Sequence, residues 1–340
     1  METFLDIDQT RVVKAKDPRI LVVAASGSGK TGTLTERAKY LVRQGINPRS
    51  IVAITFTNLA AGEMKERLGK LGEGMFIGTI HSYANYLLSF AGIYTDHIIK
   101  EENFDLLLEM VVNNPKVVLP IEHLLVDEFQ DVNKLQATLI TRTLNAKNIF
   151  LIADDWQAIF GFQGGDVEAM LELTKSPFWT VYTLPNNYRS GKDIVQFAMG
   201  FLNKVKNKIP KEIVCKNPYP GSVITYPYND YDFIVDHILN DGFTEYKDWL
   251  VLTRSNVQVD EMRWKLEAAG VPTDTFKKKD LTNEQLHLRL AENTVKVLTA
   301  HSSKGLEAPH VAVLGIVPYN DDERKLAYVA ATRAQETLIW

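Results

Sequence analysis

The chain has 340 residues, 45% of them hydrophobic and 24% charged, enough for about two domains with their own cores. Its formal net charge of −4 argues against a general nucleic-acid glue but leaves room for a recessed channel, where a few lysines, amides and hydroxyls neutralise phosphates locally. A single cysteine, Cys215, excludes an internal disulfide framework, no cluster has zinc-ligand spacing, and no apolar run approaches the roughly 20 residues of a membrane span.

The amino terminus, METFLDIDQTRVVKAKD, lacks the basic-then-apolar order of a secretion signal, so the expected location is the cytoplasm, with no membrane partner. The apolar, β-rich run RILVVAA follows, and GTLTERAKYLV has helical spacing. Between them Ala24 to Thr31 fits the pattern A/G-x-x-x-x-G-K-S/T, whose glycine-rich turn aims successive backbone N–H groups at phosphate oxygens from the start of a helix. Ala25, Ser26, Gly27, Ser28 and Gly29 form that turn, Lys30 reaches the β- and γ-phosphates, and the Thr31 hydroxyl ligates Mg²⁺. A phosphate loop is shared by kinases, GTPases, transporters and motors, so it fixes ATP and Mg²⁺ as the expected cofactors without fixing the work done.

Further strand-like runs, IVAITF, MFIGTI, HLLVDEF and NIFLIAD, alternate with helical segments, as in parallel α/β folds. A second set, SVITYPY, DWLVLTR, TVKVLTA and HVAVLGI, follows KSPFWTVYTLPNNYRSG (175–191), whose prolines and turn residues read as a domain boundary or hinge. The expected domains are therefore 1–184 and 185–340. In HLLVDEFQD an apolar strand ends in adjacent acids whose side chains diverge. Asp127 can thus hold the magnesium shell while Glu128 addresses the water that attacks the γ-phosphate.

These motifs and their order resemble superfamily 1 DNA helicases of the UvrD/Rep/PcrA type. AASGSGKT and DEFQD match that family's two nucleotide motifs, and Gln9 stands where it places the glutamine that reads adenine. AITFTNLAAGEM and GTIHSYA resemble its first DNA-contacting motifs, and ADDWQAIFGFQGG resembles the motif that links the γ-phosphate to DNA. LPNNYRS, VLTAHSSKGLEA and AYVAATRA resemble the remaining three. The resemblance implies two RecA-like parallel-sheet domains forming an ATP cleft, with a small helical insertion (about 82–120) in the first.

It also implies roles. Gln157 would sense the γ-phosphate, and Arg189 and Arg333 would act as arginine fingers, each worth about 10³ to 10⁵ in rate. Tyr188 would stack on adenine, and Gly305 and Glu307 would complete the nucleotide site, Glu307 by accepting a hydrogen bond from the ribose. Phe56, Thr57, Asn58, Thr79, His81, Thr299 and His301 would contact single-stranded DNA, with RNA as an alternative, and Phe160 and Phe162 would offer stacking faces. The implied activity is ATP-dependent 3′-to-5′ DNA translocation or unwinding. A motor subunit that remodels protein–DNA complexes and a nucleotide-gated binding module are the alternatives.

Several residues depart from the family pattern. Gly32 replaces an arginine that covers the adenine, Leu59 a lysine, Ala153 a glycine and Gln163 an arginine. Only 46 positions separate His81 from Asp127 (127 − 81) and 15 separate Asp280 from Val295 (295 − 280), where the family carries sizeable helical insertions. SYANYLLSFAGIY and NFDLLLEMVV supply a reduced first insertion, and the second is expected to be missing. A protein partner is expected to supply the lost grip on duplex DNA.

Overall fold

A computed structural model of the chain describes residues 4–161, 167–227, 230–242 and 245–340. It divides into two compact units, Met1–Ala24 with Gly29–Leu184, and Ala25–Ser28 with Pro185–Trp340.

The first unit is built on β1 (Arg19–Ala24), β2 (Ile51–Thr55), β3 (Phe76–Thr79), β4 (His123–Val126), β5 (Asn148–Ala153) and β6 (Thr180–Leu184). They form one sheet in the order β3-β2-β4-β5-β1-β6, with every pairing parallel. Parallel strands covered on both faces should read as unbroken apolar runs. Ile20–Ala24, Ile51–Ile54, Leu124–Val126 and Ile149–Ala153 are all buried. Strand β6 lies inside the stretch expected to be a hinge. Its side chains alternate between half-buried and exposed along most of its length, the signature of an edge rather than a centre. Thr180 Oγ1 and Tyr182 Oη fasten it to the Asp17 carboxylate at 3.0 and 2.8 Å.

The residual first insertion consists of helices Ile80–Phe90, Asp96–Lys100 and Phe104–Asn113. Leu87 and Leu88 of the first are buried, as are Leu107, Leu108 and Val111 of the third, and those two helices pack together.

The second unit holds β7 (Asn186–Asn187) paired with β8 (Val214–Cys215), and a six-stranded parallel sheet. That sheet contains β9 (Ser222–Ile224), β10 (Trp249–Thr253), β11 (Thr273–Asp274), β12 (Val295–Thr299), β13 (Ala308–Leu314) and β14 (Ala334–Ile339), in the order β11-β12-β10-β13-β14-β9. Trp249, Val251, Met262, Leu266, Val297 and Leu314 form much of its core. Between Asp280 and Val295, where nothing was expected to replace the second insertion, runs one helix, Asn283–Ala291. A reciprocal cap between Thr282 and Gln285 starts it, and none of its residues is buried. Among the described residues no helix is long and apolar enough to cross a membrane.

Candidate nucleotide and nucleic-acid sites

In the first unit the glycine-rich turn ends at Gly29, which is left-handed (φ 73°) and leads into helix Lys30–Arg43 without a side-chain cap. A β-carbon there would be strained by that backbone and would stand 3.1 Å from Gln9 Nε2. Glycine therefore leaves the first amides of the helix open to an anion and lets the Gln9 carboxamide come close. The carboxamide is oriented by its own helix cap, because Asp6 N donates to Gln9 Oε1 at 3.0 Å.

The acids at the end of β4 face this loop. Thr31 Oγ1 donates to Asp127 Oδ2 at 2.7 Å. Burial and the adjacent Glu128 push the Asp127 carboxyl up to about 6, against the opposing pull of the Thr31 hydrogen bond and Lys30. Glu128 sits at φ 53°, an uncommon conformation for a non-glycine residue, and its N–H donates to Asp127 Oδ1 at 2.9 Å. The two neighbouring carboxylates take different partners, Asp127 the Thr31 hydroxyl and Glu128 the Gln130 carboxamide.

Gln130, quoted within DEFQD but given no role by sequence, joins this centre to the next. Its Nε2 donates to Glu128 Oε2, and its Oε1 accepts from Asp154 N at 2.9 Å. Asp154 Oδ2 in turn accepts from Gln157 Nε2 at 2.6 Å and lies 3.9 Å from Lys30 Nζ. One fully buried aspartate thus links the lysine of the loop to Gln157. Only the buried glutamine's bonding to both segments reveals its place, and a sequence motif does not encode that.

A divalent cation fits these residues. Thr31 and Asp127 converge at hydrogen-bond distance, and a cation there would offset the burial and the Glu128 charge that raise the Asp127 carboxyl.

Thr57, Asn58, Thr79 and His81, all expected to meet nucleic acid, lie at or just after strand ends of the same unit. Thr57 and Thr79 are N-caps, accepting from Ala60 N and Ser82 N, each at 3.2 Å. Exposed Asn58 opens the first of these helices and half-buried His81 lies in the first turn of the second. Phe56 and Phe160 stack with ring centroids 5.5 Å apart. His81 packs 5.7 Å from Phe104 of the residual insertion, and burial holds its imidazole below the usual value despite Asp105. A cleft of about 360 Å³ is lined by Phe56, His81, Phe104, Asp127 and Glu128 among others, so one hollow touches both the expected strand contacts and the acid pair. Phe162 and Gln163 lie outside the described residues.

In the second unit Ala25–Ser28 pack with the segment after β6. Asn187 Nδ2 donates to Ser26 O at 2.7 Å and Tyr188 N to Gly27 O at 3.0 Å. Gly27 is also left-handed (φ 67°), and a β-carbon there would come within 2.9 Å of Arg189 Cβ and Asn187 Nδ2. The Ser26 hydroxyl is buried with no hydrogen-bond partner among the described residues, as suits a loop shaped around an acceptor-rich ligand.

Arg189 Nε donates to Glu307, and Gln335 Nε2 donates to the same carboxylate at 3.1 Å. Burial pushes the Glu307 carboxyl up, but Arg189, with smaller contributions from Arg333 and Gln335, holds it below its usual value. The expected finger and the expected ribose acceptor are thus partners of one another. Arg333 is 1% exposed, with Nε on Val329 O at 2.9 Å and Nη1 on Leu306 O at 3.2 Å. Tyr188 and Gly305 (φ 84°) are exposed. Thr299 Oγ1 caps the next turn, accepting from Ser302 N at 3.3 Å. Burial and Arg254 keep His301 below its usual pKa, with Glu323 opposing.

Two parallel sheets, the first followed by a glycine-rich turn and a lysine-threonine helix start, define a two-domain RecA-like α/β protein. Residues 5–107 and 116–177 match the UvrD/REP helicase N-terminal domain, and 275–340 match the UvrD-like helicase C-terminal domain. The chain belongs to the UvrD/Rep/PcrA-like superfamily 1 helicases, a family that uses ATP, generally with Mg²⁺, and binds DNA.

A probable DNA helicase of Mycoplasma pneumoniae is 25% identical, the match covering 98% of this chain and 82% of that protein. The ATP-dependent DNA helicase PcrA of Bacillus subtilis is 25% identical over 84% of this chain and 53% of its own length. PcrA of Staphylococcus aureus is 26% identical over 75% and 48%. The chain thus spans about half the length of these PcrA relatives. The Mycoplasma match runs over 455 positions against a chain of 340 residues, so at least 115 of them (455 − 340) fall in gaps of this chain.

Proposed function

We propose that this chain is an ATP-dependent motor that moves 3′ to 5′ along single-stranded DNA. The observation that carries the reading is the continuous link from Thr31 and Asp127 through Glu128, Gln130 and Asp154 to Gln157 and Lys30. Lys30 and the loop amides hold the β- and γ-phosphates. Thr31 and Asp127 would hold Mg²⁺, which would supply charge to offset the phosphates. Glu128 takes the proton of the attacking water, and Gln157 reports the γ-phosphate to the segment that carries Phe160. Arg189 and Arg333 would stabilise charge that develops on the transferred phosphoryl group, and Gln9, Tyr188, Gly305 and Glu307 would hold the nucleoside. Phe56, Thr57, Asn58, Thr79, His81, Phe160, Phe162, Thr299 and His301 follow the strand, whose bases stack without regard to identity.

The cleft shared by Phe56 and Glu128 supports coupling of strand occupancy to hydrolysis. The deciding assay is ATP turnover with and without single-stranded DNA or RNA of several lengths. Stimulation by DNA that grows with length supports a translocase, and turnover indifferent to any strand overturns it.

The reduced insertions favour a second reading within the same chemistry, a motor that steps but unwinds poorly alone. Each reannealed base-pair step returns about 1.4 kcal/mol, and three short helices plus one offer little with which to hold a duplex open. A protein partner would supply that grip. Tailed duplexes of increasing length, unwound under single-turnover conditions with trap DNA, separate the readings. Efficient, length-independent unwinding by the chain alone would refute the need for a partner.

A further inference from the structure

Arg37 is a buried cation for which the proposed chemistry has no use. It is 4% exposed and lies seven residues, about two turns, beyond Lys30 on the helix that starts the phosphate site. Its Nη1 donates to Val13 O at 2.7 Å and to Ala15 O at 2.6 Å. Both carbonyls belong to the C-terminal end of helix Ile7–Lys14, where the last carbonyls lack intrahelical partners and the helix dipole is negative. The guanidinium carbon also lies 5.6 Å from the centroid of the Phe150 ring on β5. A cation is therefore lodged between the phosphate-site helix, the amino-terminal helix and the central sheet.

The amino-terminal helix carries Gln9 four residues before Val13, about 6 Å along its axis. Gln9 Nε2 would stand 3.1 Å from a β-carbon at Gly29, next to Lys30. Pinning one end of an eight-residue helix fixes the other, because so short a helix does not bend appreciably.

We propose that Arg37 is a positioning residue for base recognition, setting the Gln9 carboxamide at a fixed offset from the phosphate-binding lysine. This rests on the reading of Gln9 as the adenine contact. Arginine suits the task where lysine does not, because one end of its rigid plane, Nη1, holds both carbonyls while the rest of the guanidinium lies over the Phe150 ring, whereas an ammonium is a flexible point charge that cannot do both at once.

The test compares Gln9→Ala, Arg37→Lys and the double variant in steady-state turnover with ATP and with GTP. Arg37→Lys keeps the buried charge, and Arg37→Met gives a second measure where it folds, thermal unfolding serving as the control. Gln9→Ala and Arg37→Lys should each raise KM for ATP by about tenfold, with kcat within about twofold, and each should lower the preference for ATP over GTP. The double variant should be no worse than either single one, because both act through one contact. If Gln9→Ala shifts KM and base preference while Arg37→Lys leaves both intact, Arg37 only braces the fold and the proposal falls alone. If Gln9→Ala changes neither, the adenine reading falls and the proposal with it. A loss of kcat in Arg37→Lys at unchanged KM would also overturn it.

Discussion

The two units use the same turn and opposite charge. At the end of β2, Thr55 Oγ1 donates to Thr57 O at 2.9 Å, and Thr57 caps the following helix. At the end of β10, Thr253 Oγ1 donates to Ser255 O at 3.0 Å, and Ser255 caps the next. Beside these turns the first unit gathers acids that oppose each other, Asp127 and Glu128, so its electrostatics are completed only by a ligand. The second gathers arginines that already have partners: Arg189 with Glu307, Arg254 with Glu323 at 2.8 Å, and Arg333 with two carbonyls. Function and stability therefore conflict in the first unit and coincide in the second. Substitutions should show that split.

The largest effects fall in the first unit and should cost chemistry without costing the fold. Lys30→Ala should abolish hydrolysis by removing a phosphate-binding charge. Glu128→Gln should bind ATP but lose about 10²- to 10⁴-fold in turnover, the range for a missing general base. Glu128→Gln, which relieves the opposition to Asp127, should unfold at or above the parent's temperature. Near-normal turnover in Glu128→Gln would remove Glu128 from the role of base.

In the second unit Arg189→Ala and Arg333→Ala should each lower turnover by at least about 10²-fold with little change in ATP affinity, since finger contacts tighten at the transition state. Here the comparison predicts a second loss. Arg333→Ala strands the Leu306 carbonyl and leaves Val329 O only to Thr332 Oγ1 at 3.2 Å, so it should also lose on the order of 1–2 kcal/mol of stability. Arg189, paired with a partly exposed carboxylate, should lose much less. Equal unfolding temperatures for the two variants would break the contrast, and weakened ATP binding at retained rate would make either arginine a binding residue.

Much of this was legible because buried parallel strands and phosphate loops leave local signatures. Leu21 to Ala24 and Leu124 to Val126 read as strands since both faces need apolar side chains. Strand β6 was hidden because Thr180 to Leu184 is an edge, half polar and flanked by prolines, and its place comes from pairing with β1. Strand β14, in AQETLI, carries polar residues for the same length and was likewise missed. Gln130 and Arg37 were invisible for another reason. The bonds that place them go to backbone atoms far along the chain, Asp154 N for Gln130 and the Val13 and Ala15 carbonyls for Arg37, and one sequence shows no tertiary hydrogen bond.

The acid pair gives a third test, in stability alone. A carboxyl whose pKa rises from 3.8 to about 6 on folding holds its proton more tightly in the folded state. Its favourable contribution is present below the unfolded value and is lost as pH rises through about 6. Asp127→Asn cannot lose it. Without nucleotide or divalent cations, the unfolding temperature of Asp127→Asn minus that of the parent should grow between pH 4 and 6 and level off above. A difference independent of pH would mean that the pair is not strained, and the contrast between units would fail at its centre.

The smallest effect concerns Gly32, where the family's arginine is absent. An arginine there would lie in the first turn of helix Lys30–Arg43, and a β-carbon would meet nothing nearer than Arg67 Nη1 at 4.0 Å. The position has room but already has a cation beside it, one that Glu63 pairs with. Gly32→Arg should tighten ATP binding by a cation–π contact worth about 0.5–2 kcal/mol, reduced by repulsion from Arg67. Replacing glycine also raises helix propensity by up to about 1 kcal/mol, so unfolding temperature is no proxy and affinity must be measured directly. Adding Arg67→Ala should restore the full gain and increase the otherwise modest preference for ATP over GTP. Unchanged affinity in both variants would show that another group already covers the base, and Arg67 itself would be the first to examine.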